Sequence, residues 1–194
     1  GTGYLYGRVD EKTAKAIVEE HLLKGNVLTE ALVSDEERAF LTRQHRIALR
    51  NCGIIDPENI EQYIAAGGYE ALKKVINGVS PEALIEIIKV SGLRGRGGAG
   101  FPTWFKWDAA RKSKGETKYV ICNADEGDPG AFMDRSLLES DPHSVLEGMI
   151  LAAYAIGSNQ GVIYVRAEYP LSIHRLELAL AQAREKNLLG KNIL

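Results

Sequence analysis

Between Gly92 and Gly100 the chain places five glycines and two arginines, Arg94 and Arg96. Glycines at this density let backbone N–H groups turn toward a ligand, which can then approach the main chain with no Cβ in its way. The arginines add positive charge. Lys106 adds more near the start of the next expected helix, whose free N–H groups also favour anions. An apolar wall follows directly in Phe101, Trp104, Phe105 and Trp107. A solvated loop has no use for such a wall, so the residues favour phosphate or cofactor binding over a bland surface loop. The run Gly95, Arg96, Gly97, Gly98, Ala99, Gly100 also fits G-x-G-x-x-G. The dinucleotide fingerprint, however, needs a strand directly before its glycines, and Pro81 to Val90 reads as helix. The physics of the loop survives the failure of that pattern.

A second constellation starts at Asn123 and carries Asp125, Glu126 and Asp128 before Pro129-Gly130. No His or Cys joins these carboxylates, and a loop for a hard cation would space its oxygens more regularly. A solvated turn is a common use of such a segment. The third use is acceptance of hydrogen bonds from ribose hydroxyls and flavin ring N–H groups, while the glycine loop takes the phosphates. The residues alone leave these uses open. Elsewhere the signals are weaker. Cys122 reads as core, and Cys52 is a thiol with no nucleophile's partner in sequence. His143 reads as local capping after Asp141-Pro142, and His21, His45 and His174 lack ligand spacing. No acid–base catalyst and no metal ligand is assigned.

The elements that position these groups can be read from punctuation. Ser80 is an expected N-cap with Pro81 at the first helical position, and Leu84, Ile87 and Ile88 form the expected buried stripe before Gly92. A short helix is expected to follow the glycine loop as far as Lys114. Lys118 to Asn123 reads as a buried strand, Asp141-Pro142 opens a helix ending at Gly157, and Val162 to Ala167 reads as a second strand. Leu171 to Leu188 is a second long amphipathic helix. Strand, crossover helix, strand, helix is the grammar of an α/β fold with a parallel sheet. The acidic segment then lies at the carboxyl end of the first strand, where open sheets of this kind hold ligands. Residues 34–80 read as helical and polar. Before them, Ala14, Ile17, Val18, His21 and Leu22 keep helical spacing up to Gly25.

Composition narrows the classes. The 194 residues are 45% hydrophobic and carry 24 basic against 26 acidic side chains, so no basic surface of the scale a nucleic-acid binder needs is available. The longest apolar stretch, Met149 to Ile156, falls well short of the roughly 18 residues of a membrane span. Two cysteines cannot supply the four thiolates of a typical iron–sulfur cluster.

Taken together, the run from Ser91 to Thr103, Lys106-Trp107, Asn123-Ala124-Asp125-Glu126 and Asp128-Pro129-Gly130 resembles the family of FMN- and NADH-binding flavin subunits. That family includes the flavin subunits of respiratory complex I, of bacterial NAD(P)-linked iron hydrogenases and of NAD-dependent formate dehydrogenases. The resemblance continues through Met133-Asp134-Arg135, Asp141 to Glu147 and Tyr164 to Pro170, covering about residues 46–194. It implies a Rossmann-like parallel sheet with flanking helices. It also implies that Gly95 through Phe101 line a flavin and nucleotide cavity, with Arg96 and Lys106 holding negative groups. Phe101 would face the nicotinamide nucleotide. Asn123, Asp125 and Glu126 would contact the flavin, and Asp128 would stand beside the nucleotide. The implied cofactors are FMN and NAD(H), and the implied chemistry is hydride transfer followed by electron transfer to iron–sulfur clusters.

The chain departs from the family in carrying Trp104-Phe105 where Gly usually follows Pro-Thr. The family's later flavin-binding segments and its [4Fe–4S] cysteines are not matched, so the cluster is expected only in a full-length subunit. The chain by itself is expected to hold flavin weakly or not at all and to be inactive. Residues 1–33 resemble the end of a thioredoxin-like [2Fe–2S] domain, with 34–80 a helical adaptor and 81–194 the first part of the flavin domain. That arrangement favours the soluble hydrogenase and formate dehydrogenase members. Expected partners are iron–sulfur and thioredoxin-like subunits and a hydrogenase or formate dehydrogenase catalytic subunit, in the cytoplasm, without nucleic acid or membrane insertion. Two other readings stay open: a nucleotide- or phosphate-binding module without redox chemistry, and a structural fragment without a ligand.

Overall fold

The computed structural model describes residues 3–193, with the side chains of residues 41 and 42 outside the description. The chain divides into two compact units, Gly1–Ile47 and Ala48–Leu194. In the first, helix α1 (Glu11–Ala16) is capped by Asp10, whose carboxylate accepts from Thr13 N–H. Its continuation Ile17–Leu22 is wound as a π-helix. An isolated bridge pairs Tyr6 with Leu32. Helix α2 (Asp35–Thr42) starts in a reciprocal capping box between Ser34 and Glu37. None of the described residues of this unit is buried, and Val18 and Leu22 of the expected apolar stripe face solvent. Segment 34–80 thus contributes α2 to the first unit and α3 (Ile60–Ala65) and α4 (Glu70–Ile76) to the second.

The second unit contains the α/β core. Helix α5 (Pro81–Val90) has the expected cap, with Ser80 accepting from Ala83 N–H. Leu84 and Ile85 are its buried pair, whereas Ile87 is half exposed. Ile88 of the expected stripe is partly buried against the same core, so the face toward Val75, Ala155 and α6 (Thr103–Lys112) exchanges Ile87 for Ile85. Strand β1 (Tyr119–Ala124) pairs in parallel with β2 (Gln160–Val165), in the register Tyr119↔Gln160 through Ala124↔Val165. The crossover carries α7 (Met133–Ser140), absent from the sequence reading, and α8 (Pro142–Ile156), which ends on left-handed Gly157. Helix α9 (Pro170–Glu185) follows β2. This is the expected parallel α/β arrangement in small form.

The strands differ from the expectation in one respect. They are covered on one face only, so burial alternates along them instead of being continuous. Cys122, Ala124, Ile163 and Val165 pack against Leu138, Val145 and Leu176 of α7, α8 and α9. Tyr119, Ile121, Val162 and Tyr164 project from the other face and are about half exposed or more. A period of two with β-branched and aromatic residues on both faces reads as a buried strand until the position of the helices is known. No helix of the described residues is long and apolar enough to cross a membrane.

Candidate functional site

An antiparallel bridge between Arg94 and Pro102 pinches the glycine loop at its base. Gly95 N–H donates to the Phe101 carbonyl at 2.8 Å, and Thr103 N–H to the Leu93 carbonyl at 3.1 Å. Within the loop, Arg94 Nε donates to the Gly100 carbonyl at 2.5 Å and Arg96 Nη1 to the Arg94 carbonyl at 3.3 Å. Arg94, read in sequence only as charge for a ligand, is therefore also the brace that closes the loop. Residues 95–99 stand exposed at its tip. A Cβ placed on Gly97 or Gly98 meets nothing within 4 Å. Gly98 has φ 96°, a conformation open to glycine at little cost, whereas Gly97 needs no special backbone. The loop thus offers bare main chain facing open space.

Helix α6 carries the aromatic wall and divides it. Trp104 and Trp107 turn inward against the Val75, Leu84, Ile85 and Ala155 core. Trp104 thereby anchors the helix. Phe101 and Phe105 stay at the surface, edge to face at 5.5 Å. Lys106 Nζ sits 5.7 Å from the centre of the Phe101 ring, a cation–π distance. No carboxylate pairs with Lys106 among the described residues. Pro102 gives α6 no side-chain cap, so N–H groups of its first turn beyond Thr103 are left for solvent or a ligand.

The acidic segment leaves β1 at its carboxyl end. Asn123 Oδ1 accepts from Asp125 N–H at 3.1 Å, a local turn that holds the segment's first residues. Asn123, Asp125 and Asp128 are exposed. Glu126 is buried, and its carboxylate points back into the fold. Oε1 accepts from Asp134 N–H at 2.9 Å and Oε2 from Arg135 N–H at 3.1 Å, which caps the first turn of α7. Burial pushes the Glu126 carboxyl up, but the N–H groups of Asp134, Arg135 and Met133, with the Tyr169 hydroxyl, outweigh it and hold the group below the usual range. Burial, and then the Glu126 charge, push Asp134 up. The Glu126 carbonyl accepts from Arg166 Nη1 at 2.7 Å. Tyr169 also approaches Glu126, its hydroxyl 3.4 Å from both the carbonyl and Oε2. The glycine loop and the acidic segment belong to the same unit, though no hydrogen bond or ion pair among the described residues joins them. No group of three potential metal ligands occurs among the described residues.

The sequence reading missed a buried polar cluster in the same unit. Glu147 of α8 accepts from the Tyr63 hydroxyl at 2.7 Å, Tyr69 N–H at 2.8 Å and Leu72 N–H at 3.2 Å. It thus caps α4, whose own N-cap residue Tyr69 provides no side-chain bond. His143 is no local cap. It is 2% exposed, with Nδ1 2.9 Å from the Tyr69 hydroxyl and Nε2 3.1 Å from Gln182 Oε1. Burial pushes its pKa down. Burial, joined by the Glu147 charge, pushes Tyr63 and Tyr69 up. Asp141 accepts from Asn51 Nδ2 at 2.7 Å, and its other oxygen finds no hydrogen-bond partner among the described residues. No local pattern announces these pairs. The one available signal was the density of Asp, His and Glu at the start of α8, where Glu147 falls on the buried side of a helix. A groove of about 760 Å³ also opens in this unit, lined by Leu72, Ile150, Ile163, Leu180 and Leu189 among others. None of the sequence-predicted site residues lines it.

Comparison with known proteins gives a consistent set of likenesses. Residues 88–193 match the family described as Nuo51 FMN-binding domain. Over 151 residues the chain is 58% identical to HndC of the NADP-reducing hydrogenase of Solidesulfovibrio fructosivorans, covering 78% of this chain and 30% of that protein. It is 47% identical over 148 residues to the F 2 subunit of the NADH-quinone oxidoreductase of Rhizobium meliloti, covering 76% and 35%. Among solved structures, an NAD+-reducing [NiFe]-hydrogenase in the H2-reduced state superposes with a TM-score of 0.56 at 32% identity, covering 91% of this chain and 29% of that one. The chain spans about a third of the length of these curated relatives.

Proposed function

Because the chain belongs to the Nuo51 FMN-binding domain family, we propose that it forms part of the flavin-containing subunit of an NAD(P)H dehydrogenase, working within a multisubunit redox complex. The observation that carries this reading is the braced glycine loop, which holds bare main chain at Gly97 and Gly98 against open space, with Lys106 and Phe101 beside it. That cradle fits a phosphate-bearing, planar cofactor, because a side chain at either glycine would fill the space such a group needs.

FMN held there would supply hydride acceptance from a nicotinamide nucleotide and one-electron transfer to iron–sulfur clusters. The chain's own residues bind and orient. Backbone N–H groups of residues 96–100 and the free first turn of α6 offer donors to phosphate oxygens. Arg96 and Lys106 supply the charge, and Phe101 offers a ring face for the nucleotide. Asn123, Asp125 and Asp128 offer oxygens to ribose hydroxyls and ring N–H groups. Glu126 contributes by fixing the start of α7 and the segment that carries those oxygens. No side chain is needed to move a proton, because hydride transfer between stacked rings depends on orientation and electrostatics. The proposed partners are iron–sulfur and thioredoxin-like subunits with a hydrogenase or formate dehydrogenase catalytic subunit. The proposed location is the cytoplasm, where nicotinamide nucleotides are available.

Flavin absorbance of the purified protein in its complex, and its bleaching on addition of NADH or NADPH, test the proposal. A bound flavin that bleaches is the expected result. Nucleotide binding without any flavin would make the unit a phosphate-binding module, and binding of neither would make it structural.

A further inference from the structure

Arg166 lies one residue past the carboxyl end of β2 and is not among the residues proposed to meet the cofactor. Its Nη1 donates to the Glu126 carbonyl at 2.7 Å, and its Nε lies 3.5 Å from the Glu168 carboxylate. Its side chain is largely covered, at 28% exposure. Tyr169, 9% exposed, has two guanidinium groups over its ring, those of Arg135 and Arg166, each 5.4 Å from the ring centre. The Tyr169 hydroxyl reaches the carbonyl and Oε2 of Glu126 at 3.4 Å.

These contacts converge on one residue. Glu126 is held through its carboxylate by α7 and through its carbonyl by Arg166 and Tyr169. The main chain that bears Asn123, Asp125 and Asp128 is therefore pinned from the neighbouring strand as well as from its own. Such anchors stabilise any loop, but in a loop that presents oxygens to a ring system they also fix where those oxygens stand. Displacing an acceptor by about 1 Å is enough to misplace reacting groups severely.

We propose that Arg166, seconded by Tyr169, is a positioning residue for the acidic segment, fixing the oxygens of Asn123 and Asp125 against the flavin. The inference rests on the flavin reading of the same site. Arg166 itself touches no cofactor. It acts through the Glu126 carbonyl, so its loss leaves every ligand-facing side chain in place while freeing the segment that aims them.

The test compares Arg166→Gln, Arg166→Lys and Tyr169→Phe in the full-length protein within its complex. FMN dissociation constant, flavin midpoint potential and thermal unfolding temperature are measured on each. Arg166→Gln should raise the dissociation constant about tenfold, the lower end for one charge-assisted hydrogen bond, and should shift the midpoint potential of the flavin that remains bound. Arg166→Lys, which keeps a charged donor, should recover part of both changes. Tyr169→Phe should give smaller changes in the same direction. A fall in unfolding temperature with affinity and potential unchanged in all three would show a purely structural residue and overturn the proposal. If Arg166→Gln does not fold, the Lys and Phe variants decide by the same two readings. Failure of the unaltered protein to hold flavin would overturn the flavin reading, and this inference with it. Flavin held normally by the unaltered protein and all variants would overturn the inference alone.

Discussion

Replacing Glu126 by Gln separates two roles that a carboxylate at this position can play. Both oxygens of Glu126 are occupied, one by Asp134 N–H and the other by Arg135 N–H. An amide keeps one acceptor and turns an N–H₂ toward the other donor, so one bond to a charged acceptor is lost, at about 1.5–3 kcal/mol. The charge at the N-terminal end of α7 goes as well, at roughly 0.3–1 kcal/mol. The expected total of about 2–4 kcal/mol is a large fraction of the ~5–15 kcal/mol that holds a typical domain together. Urea unfolding at neutral pH measures it. Amide exchange places it, since protection should fall at residues 134–137 and remain at Ile121. The pH dependence gives an independent check. The folded carboxyl lies below its ordinary 4.5, so its stabilisation is complete above that value and is lost as pH falls through the folded value. The unaltered protein should show this acid loss, and Glu126→Gln should show less of it. A variant within about 0.5 kcal/mol of the original, the range of ordinary surface changes, with exchange at residues 134–137 unmoved, would refute the capping role. Glu126 would then be free to serve the cofactor directly.

Three further outcomes are expected. Gly97→Val and Gly98→Val should part company: the first, at an ordinary φ with open space, should leave stability within about 0.5 kcal/mol while abolishing FMN binding. The second should also destabilise the loop by on the order of 1–3 kcal/mol, the cost of a strained backbone, and thermal melts with flavin titration distinguish them. Lys106→Met keeps the stem but removes the cation over Phe101, and should weaken flavin or nucleotide binding by about 1.5–3 kcal/mol, read by titration. His143 has its pKa pushed down by burial beside Tyr63 and Tyr69, which outweighs the upward pull of the Gln182 hydrogen bond and the Asp141 charge. Its folded pKa lies below 6.5, so stability should be full above that pH and decline as pH falls below it, because the unfolded chain takes up the proton first. His143→Gln should flatten the pH 5–7 part of a stability profile, and an unchanged slope would remove His143 as its source.

How much of this was legible depends on how local each signal is. Ser80 with Pro81, Pro142, and Gly157 mark helix ends within a few residues, and they stood where expected. The succession of strand, crossover helix, strand and helix gave the parallel pair. The one-sided burial of the sheet was not legible, because Ile121 and Val162 look the same in sequence whether covered or bare. The bare, exposed main chain of the glycine loop was legible, but the brace from Arg94 to Gly100 was not, since an arginine beside glycines suggests charge before it suggests a carbonyl partner. Glu147 capping α4 and Glu126 capping α7 were also hidden. In each case the helix start lacks its own cap, and the acceptor arrives from another element. Such a pairing leaves no spacing to read.

The parallel register has a consequence for how the second unit forms. In a hairpin, the first rung of the ladder can close as soon as the turn does. Here Tyr119 meets Gln160 only after the whole segment bearing α7 and α8 has been laid down between them. The entropy of closing that excursion must be met before the ladder returns anything. Helix α8 is the part that can shorten it in advance. Its 15 residues fold locally, and Lys118 just before β1 donates to the Ile156 carbonyl at its far end. Arg111 Nη1 donates there too, to the Ala155 carbonyl at 3.2 Å. Lys118 thus tethers the end of the crossover helix to the start of the strand it must return beside, and Arg111 of α6 holds the same helix end. A helix end held there shortens the excursion that the ladder must close, at the end of the strands opposite the residues proposed to meet a cofactor.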